Sequence, residues 1–69
     1  MDVLVFSHGQ PVRKVETAVD ATVIGAQPIV YAAHDGRVYA VTGPWRWQDL
    51  TKAIGTHHPK PWKPEYAAN

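Results

Sequence analysis

Hydrophobic and polar residues change rhythm several times along this chain, and each rhythm predicts an element. The clearest is Ile29–Thr42, IVYAAHDGRVYAVT, where Asp35-Gly36 separates two runs rich in β-branched and aromatic residues. Asp-Gly in that setting predicts a two-residue hairpin turn, because both central residues must take positive φ. Pairing His34 with Arg37 then sets Ala33 against Val38, Ala32 against Tyr39, Tyr31 against Ala40, Val30 against Val41 and Ile29 against Thr42. Each tyrosine faces an alanine. Side-chain alternation places Ile29, Tyr31, Ala33, Val38, Ala40 and Thr42 on one face, with Val30, Ala32, His34, Arg37, Tyr39 and Val41 on the other. Both faces are largely apolar, so the hairpin is expected to be covered on both sides, by other elements or by a second chain. A longer turn with a bulge at Gly36 would shift the register by one residue.

Val3-Leu4-Val5-Phe6, ended by the turn formers Ser7–Pro11, predicts a buried strand suited to a central position beside the hairpin. Val12–Ile24 reads two ways. At period two, Val15, Thr17, Val19, Ala21 and Val23 share a face; at helical spacing, Val12, Val15, Val19, Val23 and Ala26 form a narrow stripe. The crowding of Val, Thr and Ile favours a strand, long enough that it must bend, whereas a helix would give a two-layer α/β sandwich. After Thr42-Gly43, Pro44 is expected to open a short helix that Gly55 stops. Projecting Pro44–Ile54 at 100° per residue puts Trp47, Leu50 and Ile54 in the core and Trp45 on the polar side. Prolines at 59, 61 and 64 make Thr56–Asn69 an extended tail, which either lies back on the domain through Trp62 and Tyr66 or orders on a partner.

The order strand, long strand, hairpin, short helix, tail is similar to that of small SH3-like barrels. The expected fold is α+β, mainly antiparallel β, as a small SH3-like barrel or a short sheet with one short C-terminal helix and a proline-rich tail. Residues 1–55 form the domain and 56–69 the tail.

Length sharpens the problem of cover. A chain of 69 residues buries only about 60% of the surface it exposes when unfolded. It has no cysteine to add a disulfide or thiolate metal site. Self-association is the remaining route to a larger core, and the low charged fraction of 19% also favours a hidden interface. A homodimer that buries the second hairpin face is therefore expected. The net charge of +1 is too small to argue for nucleic acid by itself. No apolar run is long enough for a transmembrane helix and no signal-peptide pattern opens the chain, so a cytoplasmic protein is expected, with no membrane partner. The chain opens on Met, and we read it as a whole small gene product. Its richness in Ala, Val, Gly and Pro, with a single Asn, points to a GC-rich microbe, of actinobacterial type, or its phage.

Candidate chemistry is thin. Four histidines, His8, His34, His57 and His58, include an adjacent pair whose side chains point apart in an extended segment, a poor metal set. Ser7-His8 with Asp35 supplies the residue types of a hydrolytic triad without a nucleophile elbow. The carboxylates are dispersed and no phosphate-cradling glycine motif occurs. Neither an enzyme, a cofactor nor a metal site is expected.

One region is uneven. Between Pro44 and Pro64, Arg46, Lys52, Lys60 and Lys63 stand against one acid, Asp49, interleaved with Trp45, Trp47 and Trp62. Such a set suits a protein-binding surface, where Trp, Tyr and Arg anchor interfaces. It also suits stacked bases flanked by phosphate-binding cations. The leading expectation is a non-catalytic binding module, a regulatory or structural accessory protein docking through Trp45, Tyr39 and the tail. The alternative is a nucleic-acid-binding accessory protein using Trp45, Arg46, Lys52, Lys60, Trp62 and Lys63.

Overall fold

The structure, a computed structural model, describes residues 1–67. It contains β1 (Asp2–Ser7), β2 (Gln10–Glu16), β3 (Val23–Ile24), β4 (Gln27–Pro28), β5 (Val30–His34), β6 (Arg37–Thr42), α1 (Trp47–His57) and a 3-10 turn at Pro64–Ala67. The last two residues of the expected tail, Ala68 and Asn69, lie outside the described residues.

The hairpin forms in the predicted register. Asp35 and Gly36 take φ of 52° and 76°, and β5 pairs with β6 from Val30↔Val41 to His34↔Arg37. β1 lies beside it in the centre of a four-stranded sheet of order β2-β1-β6-β5. The outer pairs are antiparallel, whereas β1 and β6 run parallel, Val3 beside Ala40 and Val5 beside Thr42. The sheet is open, with β2 and β5 at its edges, so of the two expected architectures the short sheet is found and the barrel is not.

The open sheet follows from where the second strand stops. β2 ends at Glu16 and the backbone of Thr17 exchanges hydrogen bonds with Met1. A turn closed by the Ala21 N–H on the Ala18 carbonyl then leads into the small β3–β4 ribbon. Val12–Ile24 is thus neither one long bent strand nor a helix. Without a strand shared between two sheets, closure has no means.

The helix corrects its prediction by three residues. Arg46 is the extended residue before it, at φ −135° and ψ 156°, and α1 runs through Gly55 to His57. His58 then turns left-handed at φ 48° and donates its N–H to the Ile54 carbonyl at 3.0 Å. Pro59 rather than Gly55 sets the stop, because the residue before a proline is pushed out of the α region.

Each face of the sheet has its own core. Leu4, Phe6, Ala32 and Val41 pack against Leu50 and Ala53 of α1, with Val12, Trp45 and Ile54 at the margin. On the reverse, Val3, Val5, Ile29 and Ala40 are covered by Met1, Val15, Ala21 and Ile24. β1 is buried on both sides, as a continuous apolar run in a central strand must be. The tail completes the cover. Pro59 is buried, Lys60 donates its N–H to the Asp2 carboxylate at 2.9 Å, and Trp62 donates its N–H to the Val38 carbonyl at 2.7 Å. Trp62 therefore continues the line of β1 alongside the first half of β6. Both hairpin faces are covered chiefly by this chain's own helix, ribbon and tail. No helix among the described residues is long and apolar enough to cross a membrane.

Candidate functional site at the head of the helix

The chain enters α1 through a tight passage. Gly43, at φ +90°, presses its backbone against the Phe6 carbonyl, where a Cβ would collide. Trp45 then donates its N–H to the Gly43 carbonyl at 2.9 Å. This fold in the backbone lowers Trp45 onto the helix-side core. Arg46 reverses the direction, and Trp47, the first helical residue, stands out with 57% of its surface exposed. The two indoles meet edge to face, 5.0 Å between centroids at 88°. Sequence projection put Trp47 inside and Trp45 outside; the structure reverses them. Residues 44–46 are not helical and give Trp45 no helical phase, whereas Trp47 keeps its phase near Ile54 but, as the first residue of α1, is left uncovered.

Arg46 and Asp49 approach to 3.4 Å on an exposed part of the helix, a pair worth little in water. Beside it, an open cleft of about 540 Å³ lies between the β1–β2 turn and α1, lined in part by His8, Pro44, Arg46, Lys52 and His57. Lys52 is exposed on this side. Trp45, Trp47, Arg46 and Lys52 thus share the helix side of the molecule.

The other expected site residues are placed elsewhere. Tyr39 is 5% exposed, a correction to its reading as a docking residue: its side chain faces α1 across the hairpin, where the helix covers it. Trp62 stacks on Tyr31 with centroids 4.7 Å apart. Tyr31 shares a face with Ala40, in the core opposite the helix. Trp62 is half-buried, and its indole Nε1 is buried with no hydrogen-bond partner among the described residues. Lys60 and Lys63 are exposed on either side of it. The basic and aromatic residues that looked continuous in sequence are therefore divided between two faces of the sheet.

Nothing assembles a reaction centre from the residues considered for one. Ser7 ends β1, while Asp35 lies at the hairpin tip beyond the start of β1 and contacts His34 at 3.2 Å. These belong to opposite ends of the sheet. Among the described residues no three His, Asp or Glu side chains converge as metal ligands would.

Trp47 and Tyr31 are the surface aromatics that sequence reasoning passed over. The three- and four-residue spacing of Leu50, Ile54 and His57 includes Trp47 and gave no sign of its exposure; the one local signal is Asp49, which suits the first turn of a helix that starts at Trp47. Comparison with known proteins finds no match, neither a family, nor a curated protein, nor a solved structure.

Proposed function

We propose that this chain is a small cytoplasmic, non-catalytic protein-binding module that docks through Trp47, with Trp45 as its brace and Arg46 at its flank. The observation that carries this reading is the exposure of Trp47 beside a tryptophan that packing does require. A large ring held in one orientation loses little entropy on binding, and Trp and Arg are the residues that most often dominate interface energy. Leaving such a ring in water costs roughly 2 kcal/mol of unrealised burial. A partner that covers it recovers that term.

The same helix end supports a second reading, a nucleic-acid accessory protein, because Arg46 and Lys52 flank the cleft near His8 and His57. The division of the basic residues counts against it. Lys60 and Lys63 accompany Trp62, whose ring stacks on the far face, so a single strand following Trp47 would not meet them.

Salt separates the two readings. The full chain, retrieved from its own cells, is expected to bring one protein in fixed stoichiometry at both low salt and about 0.5 M salt, where phosphate contacts are largely lost. Trp47→Ala is expected to lose that protein while keeping the fold. Nucleic acid that accompanies the chain at low salt and leaves at high salt would instead support the second reading.

A further inference from the structure

The two edges of the sheet are built differently. β2 carries Pro11, Arg13, Lys14 and Glu16, and its pairing with β1 is broken by an irregularity between Val5 and Ser7. These are the devices that keep another strand from adding to an edge. β5, VYAAH, has no proline, lysine or acid. It also leaves Val30 and Tyr31 45% and 42% exposed. From this edge we infer that β5 pairs with β5 of a second copy of this chain, antiparallel about a twofold axis at Ala32.

The backbone fixes the register. Behind a two-residue turn, His34 and Arg37 exchange hydrogen bonds, so by alternation Ala32 and Val30 also point their N–H and C=O groups at β6. Tyr31 and Ala33 point theirs outward. Ile29, of the same parity, does so too and donates its N–H to the Thr22 carbonyl at 2.8 Å. That contact ends the open edge on one side, and the turn ends it on the other. Centring the axis on Ala32 sets Tyr31 against Ala33 of the partner copy as a hydrogen-bonded pair, twice, using the outward N–H and C=O groups of both residues. Ala32 meets its own copy in the non-bonded position, where side chains come closest and small ones fit.

Bulk and gap also match. Tyr31 already faces Ala40 across β6, and in the pair it faces an alanine on its other side as well. Strands of this length bury less than the roughly 1,600 Å² of a standard interface, so the dimer is expected to dissociate on dilution. This surface is distinct from the Trp47 surface, and either can fail alone.

The test is sedimentation of the full chain across a concentration series, with two kinds of variant. The wild-type mass is expected to rise toward twice the 7.6 kDa of the protomer. Ala33→Pro removes an outward N–H, which an edge strand tolerates, and is expected to weaken the dimer at least about tenfold. Because the chain has no cysteine, cysteine substitutions at exposed positions report the register without relying on that variant. Tyr31→Cys mixed with Ala33→Cys, both exposed positions, is expected to form a disulfide dimer faster than either variant alone. A monomer at every concentration, a dimer indifferent to Ala33→Pro, or crosslinking no faster in the mixture than in either variant alone would overturn the inference. A wild-type chain that stays monomeric yet adds a foreign strand peptide at this edge would overturn the second copy as its occupant.

Discussion

At Gly43 the backbone takes φ +90° with the Phe6 carbonyl where a side chain would begin. Gly43→Ala therefore meets both a left-handed penalty and a clash with backbone, and is expected to cost about 2–4 kcal/mol in urea unfolding. The residue matters because it aims the two tryptophans that follow. Trp45→Ala removes a ring packed on the helix-side core and is expected to cost about 2–4 kcal/mol. Trp47→Ala removes an exposed ring from the start of a helix and is expected to change stability by no more than about 0.5 kcal/mol, with alanine's better helix propensity offsetting the lost edge contact. A loss near 2 kcal/mol at Trp47 would make it structural and remove the basis of the docking surface. The swapped roles of these neighbours were hard to read because a helical projection gives Trp45 a phase it does not have and cannot show that the first turn of the helix leaves Trp47 uncovered. Pro44 is a good N1 residue in general; here the helix starts at Trp47.

At the scale of elements, what could be read depended on how local the determinants are. The hairpin was legible to the residue because its register is fixed by Asp35-Gly36 alone. The parallel pairing of β1 with β6 was not, since nothing local in Val3–Phe6 says which direction its neighbour runs. The strand after Pro11 was legible in its type but not its length: the exchange of Thr17 with Met1 continues the β1–β2 register by one pair, and the turn at Ala18–Ala21 then ends it. The tail was expected to be extended, and its destination needed the notch that β1 leaves beside Val38. Trp62 fills that notch with a backbone bond and a stacked ring. Trp62→Ala is accordingly expected to lower stability by about 2–3 kcal/mol, below the full cost of a buried ring because Trp62 is half-exposed. Hydrogen exchange is expected to accelerate in β6 and at the amide of Lys60, which the Asp2 carboxylate holds. An unchanged stability and exchange pattern would mean that the tail does not dock.

For the whole molecule, cover and surplus explain the arrangement. A short chain without cysteines places α1 over one face of its sheet, and the ribbon with Trp62 over the other. The aromatic that this packing does not use is Trp47. The seven residues expected to bind a partner were chosen for residue type within one stretch of sequence, plus Tyr39 from the hairpin, and the fold sends them to different sides. Trp45, Arg46 and Lys52 keep company with Trp47, whereas Lys60, Trp62 and Lys63 belong to the tail. The most direct test of the docking surface is a photo-crosslinking amino acid placed in cells at Gln48, exposed beside Trp47, and, as a control, at the exposed Lys14 of the protected edge. The account predicts one discrete protein adduct at 48, absent at 14 and suppressed by Trp47→Ala in a chain that still folds. Equal, diffuse labelling at both positions, or an adduct to nucleic acid at 48, would contradict it.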